Sequence, residues 1–181
     1  LWTVLGGVHM LTRKGREHAY VRGAGLCWPG IPEGPGERLR LLATIGSGML
    51  LVSVIKRFTD TECPWELSAF GGTLPFVSHW NWAVMAGTTL GPCFPAGHAS
   101  AGFAWVAGWF ARPAGARAGR RWLLVALAAG LTLGVAQQLR GAHFMSHTLW
   151  TAWVCWTWAW ALSFLLPRSS DSEQPHAAAA R

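Results

Sequence analysis

Long apolar runs separated by short polar stretches dominate the chain and predict membrane-spanning helices. Four runs carry almost no formal charge, and a fifth apolar stretch opens the chain. A helix that crosses the hydrocarbon core needs roughly 20 mostly apolar residues, so the shorter runs are expected to extend into their flanks or to tilt. The runs are 39–55, 97–111, 122–139, 148–166 and 1–11, the last as the tail of a further span.

The segments between these runs are rich in Pro and Gly and predict loops at 28–36, 90–97 and 112–119. Gly130 and Gly134 are four residues apart, a spacing typical of contacts between membrane helices. Residues 1–167 are predicted to form one membrane-embedded domain, and the polar, then Ala-rich segment 168–181 a disordered cytoplasmic tail. Because the chain starts at Leu1 within an apolar stretch, we expect an upstream piece to be missing.

Composition supports a membrane protein. Of the 181 residues, 51% are hydrophobic and 13% are charged, whereas a soluble domain usually carries about a quarter charged residues. The deficit excludes a soluble enzyme, and the apolar content excludes a disordered chain. The 13 Trp residues point the same way, since Trp concentrates at the bilayer interface. The predicted fold class is therefore all-α, a polytopic transmembrane helix bundle.

The net charge of +7 is compatible with nucleic acid binding or with basic cytoplasmic loops. If the loop 12–38 is cytoplasmic and the spans alternate, 12 of the 15 basic residues fall on one side. The positive-inside rule supports this orientation. Because the charge is divided by loop and not gathered on one helix face, we predict no nucleic acid partner. The cytoplasmic residues are Arg13, Lys14, Arg16, Arg22, Arg38, Arg40, Arg112, Arg117, Arg120, Arg121, Arg168 and Arg181.

The opposite face collects the remaining three basic residues together with three histidines. Cations and backbone N–H groups at a helix start bind anions, and His supplies a nucleophile or a proton carrier near neutral pH. This combination indicates phosphoryl transfer, in which positioning and charge neutralisation matter most. The residues are Lys56, Arg57, Arg140, His98, His143 and His147.

Other polar residues on this face have less specific interpretations. Asp60, Glu62 and Glu66 are interpreted as solvated loop residues, with activation of a nucleophile as the alternative. Cys63 and Cys93 both fall on the outer side, where an oxidising periplasm permits a disulfide between them; the alternative is two free thiols. Cys27 would be cytoplasmic and Cys155 intramembrane, and the four cysteines have no metal-finger spacing.

At these residues the chain resembles the type 2 phosphatidic acid phosphatase superfamily, the membrane lipid phosphate phosphatases, in a divergent bacterial branch. Its signature is Lys, six residues and Arg-Pro; then Pro-Ser-Gly-His; then Ser-Arg, five residues, His, three residues and Asp. The matching segments here are 56–64, 95–98 and 137–147, and the resemblance covers about 38–166. It implies six helices, of which about five would lie in this chain.

The resemblance also implies roles. His143 would be the nucleophile that forms a phosphohistidine, His98 the proton donor to the leaving group, and His147 the partner of His143. Water would then release inorganic phosphate, with no metal or other cofactor needed. The phosphate-binding residues would be Lys56, Arg140, Gly97 and Ala96.

Four positions within the matching segments depart from the signature. Cys63 replaces the first Arg, Ala96 the Ser, Gln137 the second Arg and His147 the Asp. Arg140 lies three residues from Gln137, nearly on the same helical face, and could reach the same phosphate. A neutral imidazole at 147 can accept an N–H bond but supplies no negative charge, so the departures either define a branch or reduce catalysis.

The resemblance implies an enzyme that hydrolyses a lipid phosphate or diphosphate at the periplasmic face of a bacterial inner membrane. Its partners would be the bilayer and a lipid phosphate such as phosphatidic acid, phosphatidylglycerol phosphate, undecaprenyl diphosphate or lipid A phosphate. Two alternatives stay open. One is a haem-binding or electron-transfer membrane protein with His98, His143 and His147 as ligands; the other is a catalytically inactive, lipid-binding relative.

Overall fold

The computed structural model describes residues 34–76, 91–112 and 116–166. The predicted span tail at 1–11, the basic loop before residue 34 with Cys27, and the tail 168–181 lie outside these residues. The domain bounds 1–167 therefore stay a prediction.

The described residues form helices and short 3₁₀ turns, without a strand. The only pairings of β type that they contain are isolated bridges between Thr61 and Pro92 and between Leu67 and Leu74. The all-α class is thereby confirmed. The helices are α1 (Pro35–Arg57), α2 (Gly97–Phe103), α3 (Ala107–Phe110), α4 (Arg117–Leu139) and α5 (Met145–Leu165), with 3₁₀ turns at Pro64–Glu66, Ser68–Phe70 and Ala104–Val106.

The helices follow the apolar runs closely. Helix α1 encloses the run 39–55, α4 ends at the predicted Leu139, and α5 covers the run 148–166 except for its last residue. The run 97–111 is less regular than predicted, since a 3₁₀ turn separates α2 from α3. The predicted loop 112–119 is too long, because α4 already begins at Arg117, where a basic side chain can reach the polar headgroup region.

Two of the described helices, α1 and α4, are long and apolar enough to cross a membrane. Each has 23 residues and a mean hydropathy of 1.6 over its most apolar stretch, of which only 22% and 28% is buried within the protein. A core helix of a soluble protein would be mostly buried, so this outward apolar surface supports membrane association. The number of spans and their orientation stay predictions.

Close approach of the helices depends on glycines of α4. Gly130 packs against the Phe103 ring of α2, and Gly134 packs against Thr148 of α5, so that an added methyl group would overlap both neighbours. Both glycines are buried. The small-residue spacing therefore does mark helix–helix contacts, and these contacts bring the starts of α2 and α5 to the same end of the bundle as the end of α1.

Candidate functional site

The end of α1 meets the start of α2 at one end of the bundle. Lys56 lies in the last turn of α1 and is partly buried. Its Nζ lies 4.0 Å from the point that a Cβ on Gly97 would occupy. Gly97 opens α2, where backbone N–H groups lack partners within the helix. An ammonium group beside a helix start can hold an anion.

The residues on either side of Gly97 have different environments. His98 is exposed in the first turn of α2 and so is accessible to a ligand. Ala96 is fully buried; its N–H donates to the His147 carbonyl at 3.4 Å, and its carbonyl accepts from Thr151 Oγ1 at 3.2 Å. These bonds tie the start of α2 to α5. They leave Gly97 as the better placed backbone donor of the two residues for a phosphate.

A tight turn after α4 presents His143. The Gly141 N–H donates to the Gln138 carbonyl and the Ala142 N–H to the Gln137 carbonyl, both at 2.9 Å. Gly141 has φ +69°, a left-handed conformation that favours glycine at a helix C-terminus. The turn closes α4 and directs the next residue, His143, into the protein interior.

His143 and His147 form a buried pair. Their side chains are 5% and 2% exposed, and their Nδ1 atoms lie 3.4 Å apart. The rings of Phe94 and Phe144 pack edge-on against His147, with centroids 5.3 and 5.4 Å away. The contact between the two Nδ1 atoms holds each ring against the other and so restricts the orientation of both.

The surroundings of His143 keep its imidazole neutral. Burial, followed by the nearby charges of Lys56 and His147, lowers the pKa of His143 to about 4. A hydrogen bond to the backbone of Cys93 opposes this shift, and His98 adds to it. At neutral pH the ring therefore keeps a lone pair, as a nucleophile must. The proximity of Lys56 to Gly97, the hydrogen bond from Ala96 to the His147 carbonyl and the contact of His147 with His143 bring these residues to the same end of the bundle.

Arg140 is not brought into this cluster. It is exposed at the end of α4, and no hydrogen bond or ion pair of its side chain occurs among the described residues. Arg57, Asp60 and Ser146 are likewise exposed, as solvated flanking residues would be.

Glu62 corrects the interpretation of the first loop. Its side chain is 3% exposed and therefore not solvated, and its Oε1 has no hydrogen-bond partner within the described part of the chain. The inward placement follows from the pairing of residue 61 with residue 92 and from the fixed position of residue 63. Glu66 is partly buried, and its Oε2 accepts the Cys63 N–H at 2.8 Å.

The structure joins Cys63 and Cys93 in a disulfide, with their Cα atoms 5.3 Å apart. Both cysteines are buried. The bond connects the loop after α1 to the segment before α2. Cys155 is a buried free cysteine in α5.

Three features of the site were missed by sequence reasoning. Phe94 contacts both His147 and Trp150, with ring centroids 5.3 and 6.1 Å away. Thr151 bridges the backbone of Ala96 and His147. The backbone of Cys93 contacts His143. Backbone contacts depend on the fold alone, and a Phe or Thr in an apolar run carries no signal that distinguishes it from core.

Comparison with known proteins adds a family to this geometry. Neither a curated protein nor a solved structure matches the chain significantly. The family model described as PAP2 superfamily matches residues 37–170, which include all three signature segments. The resemblance inferred from the motifs is thereby confirmed, and at the coarse level it supports a phosphatase acting on a phosphorylated substrate. The chain belongs to the PAP2 superfamily.

Proposed function

We propose that the protein is a phosphatase of a bacterial inner membrane that hydrolyses a lipid phosphate or diphosphate at the periplasmic face. A phosphohistidine on His143 is the intermediate. One observation carries this proposal: His143, held neutral, lies together with Lys56, His98 and His147 at one end of a helix bundle with apolar outer faces.

The reaction has two steps. In the first, the His143 lone pair attacks phosphorus, the bond from phosphorus to the lipid oxygen breaks, and His98 gives its proton to the leaving oxygen. In the second, His98 takes a proton from water, the resulting hydroxide attacks phosphorus, and the bond from nitrogen to phosphorus breaks. Inorganic phosphate leaves, and both histidines return to their starting protonation states.

Positive groups at the site stabilise the transferred phosphoryl group. Lys56 and the Gly97 N–H are adjacent and bind its oxygens, which gain charge in the transition state. Arg140 supplies a second cation when its long side chain turns from the end of α4 toward the same phosphate. Its exposure permits this movement.

A hydrocarbon chain on the substrate fits the surface beside the site. Leu149, Trp150 and Trp153 line an open apolar groove on α5. Phe94 packs against both Trp150 and His147 and so connects the groove with the histidine pair. A phosphate at His143 therefore leaves the attached chain close to an exposed apolar surface, which supports a lipid substrate.

The haem alternative has little support from the geometry. The Nδ1 atoms of His143 and His147 are in direct contact at 3.4 Å, which leaves no space for an iron atom between them. Only a measurement of phosphatase activity distinguishes the inactive, lipid-binding alternative from the proposed enzyme.

The test measures the release of inorganic phosphate by the purified protein from lipid phosphates in detergent micelles. Each assay contains one kind of lipid phosphate. We expect His143→Ala to lose about 10³-fold or more in kcat, since removal of a nucleophile in other enzymes costs at least that much. Vanadate, which adopts the geometry of the transition state, should inhibit the wild type. Ser146→Ala is the matched control, because Ser146 is exposed and close in sequence. Full activity of His143→Ala would refute the mechanism, and an inactive wild type would refute the function.

A further inference from the structure

Two segments that flank the disulfide form one unit, here called the clamp and defined as residues 59–65 and 91–94. The Thr61 N–H donates to the Gly91 carbonyl at 2.9 Å, and the Cys93 N–H donates to the Thr61 carbonyl at 3.1 Å. Thr59 Oγ1 hydrogen-bonds to the Phe94 carbonyl. The disulfide between Cys63 and Cys93 is the covalent part of the clamp.

Both segments of the clamp contact the turn that carries His143. From the first segment, the Trp65 N–H donates to the Gly141 carbonyl at 2.9 Å. From the second, Cys93 Sγ lies 3.6 Å from the Ala142 carbonyl oxygen, and the Cys93 backbone lies beside the His143 imidazole. The residue that bears the half-cystine is therefore also the residue that holds the histidine ring.

A nucleophile needs a fixed ring orientation, because only the lone pair of one nitrogen attacks. His147 restrains His143 at one edge through the contact between their Nδ1 atoms. The Cys93 backbone beside the ring supplies the second restraint, and it stays in place only while the segment 91–94 does. Without the disulfide, the hydrogen bonds to the first segment and the ring contacts of Phe94 are left to hold that segment, and short loop segments without a covalent restraint open locally at low free-energy cost.

We propose that the Cys63–Cys93 disulfide is a positioning element of the catalytic site, which keeps the Cys93 carbonyl against His143 so that full turnover requires the oxidised protein. This inference rests on the proposed function, since it assigns a role in turnover to a bond outside the reacting groups. Cys63 occupies the signature position that otherwise holds Arg. The exchange therefore replaces an electrostatic phosphate contact with a covalent restraint on the nucleophile.

The test measures kcat and KM for phosphatidic acid in detergent micelles. The variants are Cys63→Ser, Cys93→Ser and the double variant. We expect kcat to fall by about tenfold to a hundredfold, the range that a small misplacement of a reacting group produces. KM should stay the same, because Lys56 and Gly97 are outside the clamp. The kcat of all three variants should fall by the same factor, since each variant removes the same disulfide bond.

Two controls separate positioning from general stability. Cys155→Ala removes a buried cysteine that is remote in sequence from the clamp, and Gly108→Ala, whose added methyl overlaps the Trp122 ring, weakens helix packing at α3, which is also remote in sequence from the clamp. Both should keep the wild-type kcat once the folded fraction is measured by thermal unfolding. Clamp variants that lose thermal stability but retain kcat would overturn the proposal, as would unequal losses in the two single variants.

If the serine variants do not fold, the same question is answered by reduction of the folded protein in a Cys27→Ala/Cys155→Ala background. Dithiothreitol transfers two electrons and two protons to the S–S bond, giving two thiols and the cyclic disulfide of the reagent. Turnover should fall in proportion to the titrated thiols and return on reoxidation. Unchanged turnover with two titrated thiols would refute the inference alone, whereas a wild type without activity refutes the proposed function.

Discussion

His147 occupies the position at which the superfamily signature has Asp, and this exchange changes the electrostatics around His143. A carboxylate four residues after the histidine would favour the protonated imidazole, because opposite charges attract. His147 acts in the other direction and helps to lower the pKa of His143 to about 4. The ring is thus neutral at neutral pH, and among the described residues no carboxylate contributes to the pKa of His143, so the positive charge that the proposed attack would place on the ring lacks such a partner.

The first prediction concerns this charge. In His147→Asp, the pKa of His143 should rise by about one unit or more, since a carboxylate replaces a group that lowers it. The acid limb of the profile of kcat/KM against pH, expected near pH 4 in the wild type, should move to higher pH by the same amount. His147→Asn, which is similar in size but uncharged, should keep the limb near its original position. Identical profiles for the Asp and Asn variants would contradict this account.

Single residues also show where sequence reasoning fails. The histidines and Lys56 could be selected in advance, because charged and titratable groups are rare in apolar runs and so carry a strong signal. Glu62 was interpreted as solvated although it is buried, since an acidic residue in a polar loop is ordinarily exposed. The contact between His143 and the Cys93 backbone could not be predicted, because every residue has the same backbone carbonyl group whatever its side chain.

At the scale of elements, the α2–α4 contact positions one half of the site. Gly130 lets the Phe103 ring approach the backbone of α4, and this fixes the depth at which α2, with Gly97 and His98 at its start, packs in the bundle. In a bilayer, helices associate through close packing of such small residues, because lipid tails are as apolar as the helices themselves.

The second prediction tests this packing. Gly130→Ala should lower the free energy of unfolding by about 1–3 kcal/mol, because the added methyl overlaps the Phe103 ring and overpacking costs that much. Gly46→Ala is the matched control in α1, where the added methyl meets no atom within 4 Å. It should leave stability unchanged or raise it by up to about 1 kcal/mol, the difference in helix propensity. Thermal unfolding in detergent measures both, and equal effects would argue against the packing role.

The positions of the elements were largely predictable, and their irregularities were not. A sufficiently long apolar run that crosses a membrane is expected to be helical, because every backbone N–H and C=O group must find its hydrogen-bond partner within the segment. The 3₁₀ turn Ala104–Val106 interrupts a run that is uniform in sequence. Its cause lies in packing against neighbouring helices, which a pattern along one chain does not contain.

At the scale of the whole molecule, the distribution of charge between the two ends of the helix bundle predicts its orientation in a bilayer. Lys56 and the histidines lie together at one end, whereas Arg40, Arg112 and Arg117 belong to helix ends on the other side of the predicted topology. The positive-inside rule predicts that the arginine-rich end is cytoplasmic.

The third prediction tests this orientation. Green fluorescent protein fused after Arg181 should fluoresce in a bacterial host, because the fusion partner stays in the cytoplasm, where it folds. Alkaline phosphatase fused at the same position should be inactive, since it requires export to form its disulfides. The opposite pattern is a non-fluorescent fusion to green fluorescent protein together with an active alkaline phosphatase fusion. It would show that the topology is inverted and that the site lies on the cytoplasmic face.

The hydrogen bonds from Ala96 to His147 and from Thr151 to Ala96 tie the start of α2 to α5, the last helix described. During synthesis the ribosome delivers Lys56, then His98, and only at the end the segment with His143 and α5. Until that helix has entered the membrane, the hydrogen bonds that tie Ala96 to α5 are missing. Under the proposed mechanism, phosphate cleavage would therefore begin only after α5 has been made, because His143 and the bonds between α2 and α5 come together at that stage.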